Sequence, residues 1–160
     1  MPEDKRKKIL TYTLQGTLIE KTSSIISIIS RYAIIVLTLF LPVYNNIYYI
    51  LIGNLLYFAG LVLSTLAVWQ FSKEREDRPI TWGLYRISRH PMQVSGSIMC
   101  IGIALIANNI WLWVLTILNT ICSYPMFLMQ ERYCTQRYGK EYTDYMNKTP
   151  RIFLIKSTNK

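Results

Sequence analysis

Charge is absent from this chain between Tyr32 and Ser72 and again between Pro91 and Gln130, in runs of 41 and 40 residues. A helix that crosses a bilayer takes about 20 apolar residues, so each run has the length of two spans joined by a tight turn. Turn-forming residues fall where that reading needs them. Pro42, Asn45 and Asn46 interrupt the first run, and Asn108 and Asn109 lie near the centre of the second. The pattern predicts an all-α integral membrane protein with four transmembrane helices in two hairpins, at about residues 24–44, 47–71, 91–108 and 110–130.

The flanks refine the outline. Ile9, Leu10, Leu14, Leu18 and Ile19 recur at roughly helical spacing, so residues 9–22 read either as an interfacial helix on the cytoplasmic leaflet or as a disordered segment. With the first span starting near Ser24 or Ile26, Arg31 lies one to two turns inside it, where it either snorkels to the headgroups as an anchor or has a functional role. In the second span, Gly53 and Gly60 are seven residues apart and, with Ala59 and Ala67, mark a closely packed face.

Composition agrees with a membrane protein. Of 160 residues, 51% are hydrophobic, too apolar for an ordinary soluble domain of this size. The net charge of +9 is carried at the N-terminal segment, the 73–90 loop and the tail after Glu131, while both predicted outer turns are uncharged. By the positive-inside rule, the basic regions and both termini face the cytoplasm. Because these basic residues flank apolar spans, anionic lipid headgroups are their expected partner, and nucleic acid is not. Cys100, Cys122 and Cys134 have no metal-ligand spacing, so no metal site is expected.

Candidate chemistry collects where the second uncharged run begins. Residues 81–96 read TWGLYRISRHPMQVSG and carry Arg86, Arg89 and the chain's one histidine, His90. A turn at Gly83 leading into a short helix would set Arg86, Arg89 and His90 on one face at i, i+3 and i+4. Pro91 disfavours helical geometry at His90 but suits the first position of a new helix, whose first-turn amides would be free to face an anionic or carbonyl group. On spacing alone these residues serve either as such a site or as markers of the membrane surface. Glu131 follows Gln130 directly, and a hairpin of equal legs returns it beside Arg89. Beyond it, Tyr138, Tyr142 and Tyr145 fall at i, i+4 and i+7, so a helix after Gly139 would present two or three aromatics on one side, either for packing and interfacial anchoring or as a ligand cage.

Together, GLYRISRHPMQVSG and, about forty residues later, QERYCTQRYGKEYTDYMNKTPRIF resemble the isoprenylcysteine carboxyl methyltransferase and phospholipid methyltransferase superfamily of integral membrane enzymes. The motifs span residues 83–153 of a single membrane domain over residues 1–160. In that superfamily the pattern is G-x-Y-x-x-x-R-H-P-x-Y-x-G, then E-E-x-x-L-x-x-x-F-G-x-E-Y-x-x-Y and a closing P-R. Arg89, His90 and Pro91 match the R-H-P core, Glu131 the second glutamate, Gly139, Glu141, Tyr142 and Tyr145 the tail, and Arg151 the closing arginine. Gln93 stands where tyrosine is usual, Gln130 replaces the first glutamate, and Cys134 replaces leucine. The first two departures bear on which acceptor is used.

The resemblance implies methyl transfer from S-adenosylmethionine to a lipophilic acceptor arriving from the bilayer, at the cytoplasmic face. It implies catalytic roles for Arg89 and Glu131, with Glu131 orienting the guanidinium by paired hydrogen bonds. His90, Pro91, Met92, Gln93, Tyr142 and Tyr145 would contact the cofactor, and Arg86, Arg89 and Arg151 the acceptor. Two other readings remain: a sterol-reductase-like enzyme using NADPH, and a non-catalytic membrane protein with a degenerate site.

Overall fold

The structure, a computed structural model, describes residues 16–73 and 78–152, and all regular secondary structure in them is helical. Five α-helices follow in order: α1 (Leu18–Thr38), α2 (Ile47–Lys73), α3 (Pro91–Ala107), α4 (Ile110–Tyr138) and α5 (Lys140–Lys148). A single 3-10 turn, Gly83–Arg86, stands between α2 and α3. Three helices, α1, α2 and α4, are long and apolar enough to cross a membrane, whereas α3 is apolar but has only 17 residues.

The first helix starts earlier than the hydrophobic pattern predicts. Thr17 caps it in a reciprocal box: the Glu20 amide donates to Thr17 Oγ1 at 3.4 Å, and the Thr17 amide donates to Glu20 Oε2 at 2.8 Å. Glu20 also pairs with Arg132 of α4, so a polar helix start is held inside the fold. The residues of the expected interfacial helix from Leu18 onward therefore belong to α1, and those before Gly16 lie outside the described residues. One consequence is that Arg31 sits in the fourth turn of α1, not near its end as the anchor reading requires.

Burial along α1 is inverted relative to a soluble helix. Ser24, Ser27 and Ser30 are buried, while Ile25, Ile28, Ile29 and Ile35 are exposed. In lipid, apolar side chains gain little by packing inward, so small and hydrogen-bonding residues occupy helix interfaces. Ser27 Oγ donates to Asn119 Oδ1 at 2.9 Å and lies 2.9 Å from Ser123 Oγ, which pins α1 against α4. The pairs Ser27–Asn119 and Glu20–Arg132 run in opposite order, so the two helices are antiparallel.

A second close pair is α2 with α3. A Cβ added at Gly102 would lie 2.6 Å from the Gly53 carbonyl oxygen, and one at Gly60 would lie 2.8 Å from that of Ser95. The expected packed face thus exists at Gly53, Gly60 and Ala67, but Ala59 is exposed and does not belong to it. The tight pairs are α2 with α3 and α1 with α4, so the first two helices are neighbours in sequence without being main packing partners. The reason lies in the seams: Gly53 meets Gly102 and Gly60 meets Ser95 in one pair, and Ser27 meets Asn119 and Ser123 in the other. The pairs meet more sparsely, chiefly through α3 on α4.

The expected turn at Asn108 and Asn109 is present. Asn108 takes the left-handed conformation that ends α3, and Asn109 Oδ1 accepts from the Trp111 amide at 2.9 Å to start α4. Beyond residue 130, where the predicted span stops, α4 continues unbroken through Pro125 to Tyr138. Its 29 residues reach roughly 44 Å at 1.5 Å per residue, beyond the thickness of a hydrocarbon core. Gly139, at φ +55°, then reverses the chain so that α5 and residues 149–152 fold back towards the start of α3.

Candidate functional site

The site is assembled where three chain segments meet. The first is the passage into α3. Gly83, at φ +62°, packs on Gln70, whose Oε1 accepts from the Leu84 amide at 2.9 Å and fixes the 3-10 turn to the end of α2. The short helix expected to align Arg86, Arg89 and His90 does not form: the turn ends at Arg86, which is exposed. Pro91 forces His90 out of helical geometry, to φ −127° and ψ 55°, and the Arg89 amide donates to the Pro150 carbonyl at 3.0 Å. Arg89 and His90 are consequently turned inward, apart from Arg86.

Helix α4 supplies the second segment, through Glu131. Glu131 Oε1 lies 3.1 Å from Arg89 Nη1 and 3.2 Å from His90 Nε2. The third is the returning tail, where Arg151 grips the same carboxylate with both prongs, Nε to Oε1 at 2.9 Å and Nη2 to Oε2 at 2.7 Å. Arg151 Nη1 also donates to Tyr124 Oη at 2.9 Å. The paired hydrogen bonds expected between Glu131 and Arg89 are thus made by Arg151, because its planar fork approaches the carboxylate head-on. Arg89 meets Glu131 as an ion pair without hydrogen-bond geometry. Its side chain is fully buried, and Nε and Nη2 have no hydrogen-bond partner among the described residues.

Charge and protonation follow from this arrangement. Two guanidinium groups around one carboxylate leave a net positive centre. Burial pulls the His90 pKa below its usual value, against the opposing pull of Glu131. A neutral His90 that bonds a carboxylate through Nε2 carries its proton there, which leaves the Nδ1 lone pair as an acceptor. The ring is stacked on Phe127 at 4.4 Å between centroids. Its hydrogen bonds to Glu131 hold the Arg151 guanidinium firmly charged.

Tyrosines wall the tail side. Tyr145 Oη donates to the Tyr85 carbonyl at 2.5 Å, and the Tyr142 and Tyr145 rings lie 5.6 Å apart. Burial raises the phenols of Tyr85, Tyr142 and Tyr145, so all three stay neutral. Ser88 fastens the other edge, with Oγ donating to the Arg151 carbonyl at 3.0 Å.

Of the residues singled out from sequence, Arg89, His90, Glu131 and Arg151 converge, with Tyr142 and Tyr145 buried on the tail that closes over them. Gln93 points elsewhere: its Nε2 donates to Ser123 Oγ at 3.0 Å and joins the seam between α3 and α4. The Gln93 and Val94 amides both bond the His90 carbonyl at 3.1 Å, so these two first-turn amides are not free for a ligand. Pro91 is buried and Met92 half-buried at the start of α3. Sequence reasoning passed over Tyr124 and Phe127. They precede Glu131 by seven and four residues, a helical spacing that places all three on one face of α4.

As to what could be held here, the unfilled donors of Arg89 in a net positive, buried setting fit a carboxylate such as that of S-adenosylmethionine. No group of His, Cys, Asp and Glu able to hold a metal ion occurs among the described residues. A shallow depression on α2, lined by Ser64, Thr65, Val68 and Trp69, includes none of the cluster.

No curated protein and no solved structure matches this chain significantly. A family described as phospholipid methyltransferase does match, over residues 47–141. The matched region begins with α2 and takes in the R-H-P core and Glu131, and it stops before Tyr142 and Arg151. It covers more than half of the chain, and by it this protein belongs to the phospholipid methyltransferase family, within the superfamily that the two motif blocks resemble.

Proposed function

We propose that this protein is a membrane methyltransferase that uses S-adenosylmethionine to methylate a lipophilic acceptor at the cytoplasmic face. The observation that carries the reading is the buried Arg89–His90–Glu131–Arg151 cluster at one end of the apolar bundle, with donors of Arg89 unfilled. Family membership supports the reaction class. The basic flanks of the spans support four crossings, with α3 as the shortest and both termini cytoplasmic. Anionic headgroups neutralise those flanks.

When bound, S-adenosylmethionine supplies a methyl group on a sulfonium, which moves in a single in-line displacement. The chain's part is to orient the partners and exclude water. Arg89 offers Nε and Nη2 to a carboxylate, either of the cofactor or of an acid acceptor. Tyr142 and Tyr145, on the folded-back tail, would cover the cofactor, and Pro91 and Met92 would contact it from the start of α3. With an amine acceptor a proton must leave, and His90 Nδ1 is the base best placed to take it, because both Glu131 oxygens are already engaged. Glu131 then stabilises the imidazolium that forms. Arg86, on the exposed side of the turn, would meet headgroups and not the reacting atoms.

Calorimetry of detergent-purified protein against S-adenosylmethionine, its demethylated product and NADPH tests this reading. The expected result is binding of the first two. Binding of NADPH alone would show a reductase-like site, and binding of none a degenerate one. A labelled-methyl assay on native membranes would then identify the acceptor, and Arg89→Ala should lower transfer at least 100-fold.

A further inference from the structure

Arg31 is the residue that the site above leaves unexplained. It projects from the fourth turn of α1, a helix long and apolar enough to cross a membrane. Its guanidinium lies against Gly96 of α3: a Cβ built there would sit 3.3 Å from Nη1 and 3.4 Å from Cζ and Nη2. Nε and Nη2 are buried and have no hydrogen-bond partner among the described residues. The carboxylates among those residues are Glu20, Glu131, Glu141 and Asp144. Glu20 is paired with Arg132, Glu131 is held by Arg89, His90 and Arg151, and the other two are exposed on α5. A cation inside a membrane bundle with no internal counter-charge is costly, and such residues mark paths or sites for ions and substrates.

Its surroundings indicate what it would bind. Antiparallel register sets Arg31, one turn past Ser27, level with Thr116, one turn before Asn119. Thr116 Oγ1 and Asn119 Nδ2 are likewise buried without partners, so the unfilled groups of this layer are mostly donors. One turn further along α1, Ile34 joins Cys100, Ala104 and Leu112 in an apolar plug that closes the layer from the far side. Gly96 is five residues into α3, so the guanidinium lies roughly 8 Å along that helix from Pro91 and the candidate site. The two tight helix pairs meet each other less closely than the helices within each pair do.

We infer that Arg31 is an oxyanion-binding subsite for a bilayer-borne amphiphile, holding a phosphodiester or carboxylate beneath the transfer site and so selecting acceptors that carry one. The role as acceptor subsite rests on the methyltransferase reading, whereas the binding itself does not. Arg31 lies outside the region that the family match covers, so the subsite is a feature of this chain's first helix. Gly96 is part of it, because a side chain there would crowd the guanidinium.

The test uses full-length protein in an uncharged maltoside detergent, titrated with dihexanoylphosphatidylglycerol, decanoate and uncharged dihexanoylglycerol and followed by calorimetry. Wild type should bind at least one of the two anions about tenfold more tightly than dihexanoylglycerol, the margin expected of a charge-assisted hydrogen bond. Which anion shows it identifies the source of the oxyanion. Arg31→Gln should lose the margin, Arg31→Lys keep part of it, and Gly96→Ala reduce it. Without amphiphile, Arg31→Gln should melt at or above the wild-type temperature, since it removes an uncompensated charge. Its affinity for S-adenosylmethionine should be unchanged. Retention of the margin in Arg31→Gln overturns the proposal, as does its absence in wild type, a clear drop in melting temperature or a parallel loss of cofactor affinity. Arg31-dependent anion binding by a protein that does not bind S-adenosylmethionine would refute the methyltransferase reading and leave this subsite standing.

Discussion

Replacing Glu131 by glutamine keeps the side chain's shape and removes the one negative charge in the cluster. Among the described residues Arg89 has no other counter-ion, its side chain is fully buried, and none of its three nitrogens makes a hydrogen bond. Arg151 is 15% exposed at its side chain and retains Tyr124, so solvent and the phenol relieve part of its loss. The dominant cost is therefore the stranded Arg89 charge, and breaking a buried pair from one side costs about 3–5 kcal/mol. For a domain of this size that corresponds to a fall of roughly 10 °C in melting temperature, measured in detergent at fixed scan rate. The same reasoning predicts the double variant Arg89→Met with Glu131→Gln to be more stable than Glu131→Gln alone by about 2 kcal/mol or more, since methionine removes the stranded charge at similar volume. A Glu131→Gln protein within about 1 kcal/mol of wild type, or a double variant no better than the single, would refute the account.

Three further outcomes follow from the geometry. The lowered His90 pKa means the unfolded chain binds the proton more readily than the fold, so this contribution to stability is full above about pH 6.5 and is lost as pH falls below it. Melting temperatures from pH 7.5 to 5 should decline, and His90→Gln should flatten that decline. Gly102→Ala puts a methyl 2.6 Å from the Gly53 carbonyl and 2.8 Å from the Tyr57 amide nitrogen, so α2 and α3 must move apart at a cost of about 1–3 kcal/mol, readable by thermal unfolding. Tyr145→Phe removes the bond to the Tyr85 carbonyl, worth about 1 kcal/mol. It should speed limited proteolysis after Gly139 and weaken cofactor binding, with Tyr85→Phe as a control that keeps the accepting carbonyl.

Much of this protein was legible along the chain. The uncharged runs marked the apolar helices, Pro91 marked the start of α3, and Asn108 and Asn109 marked the turn before α4. The order of R-H-P, glutamate and tyrosine tail pointed to the family before any geometry was known. These features are local or periodic, so one strand of text carries them. The helix boundaries at residues 18 and 138 were not legible, because polar residues there are kept helical by distant partners: Glu20 by Arg132, and Glu131 by Arg89, His90 and Arg151.

Sequence by itself determined the class of the protein, its apolar segments and most of the residue types gathered at the site. Tertiary structure alone decided which helices pair, since that depends on which small residues meet across a seam, as Gly53 of α2 meets Gly102 of α3 and Gly60 meets Ser95. It also decided that Arg151, not Arg89, forks onto Glu131, that Gln93 serves a helix seam, and that Arg31 lies inside the bundle instead of at its edge. Each of these is a relation between residues far apart in the chain, and its energy exists only once burial has removed the water that would otherwise satisfy the same groups.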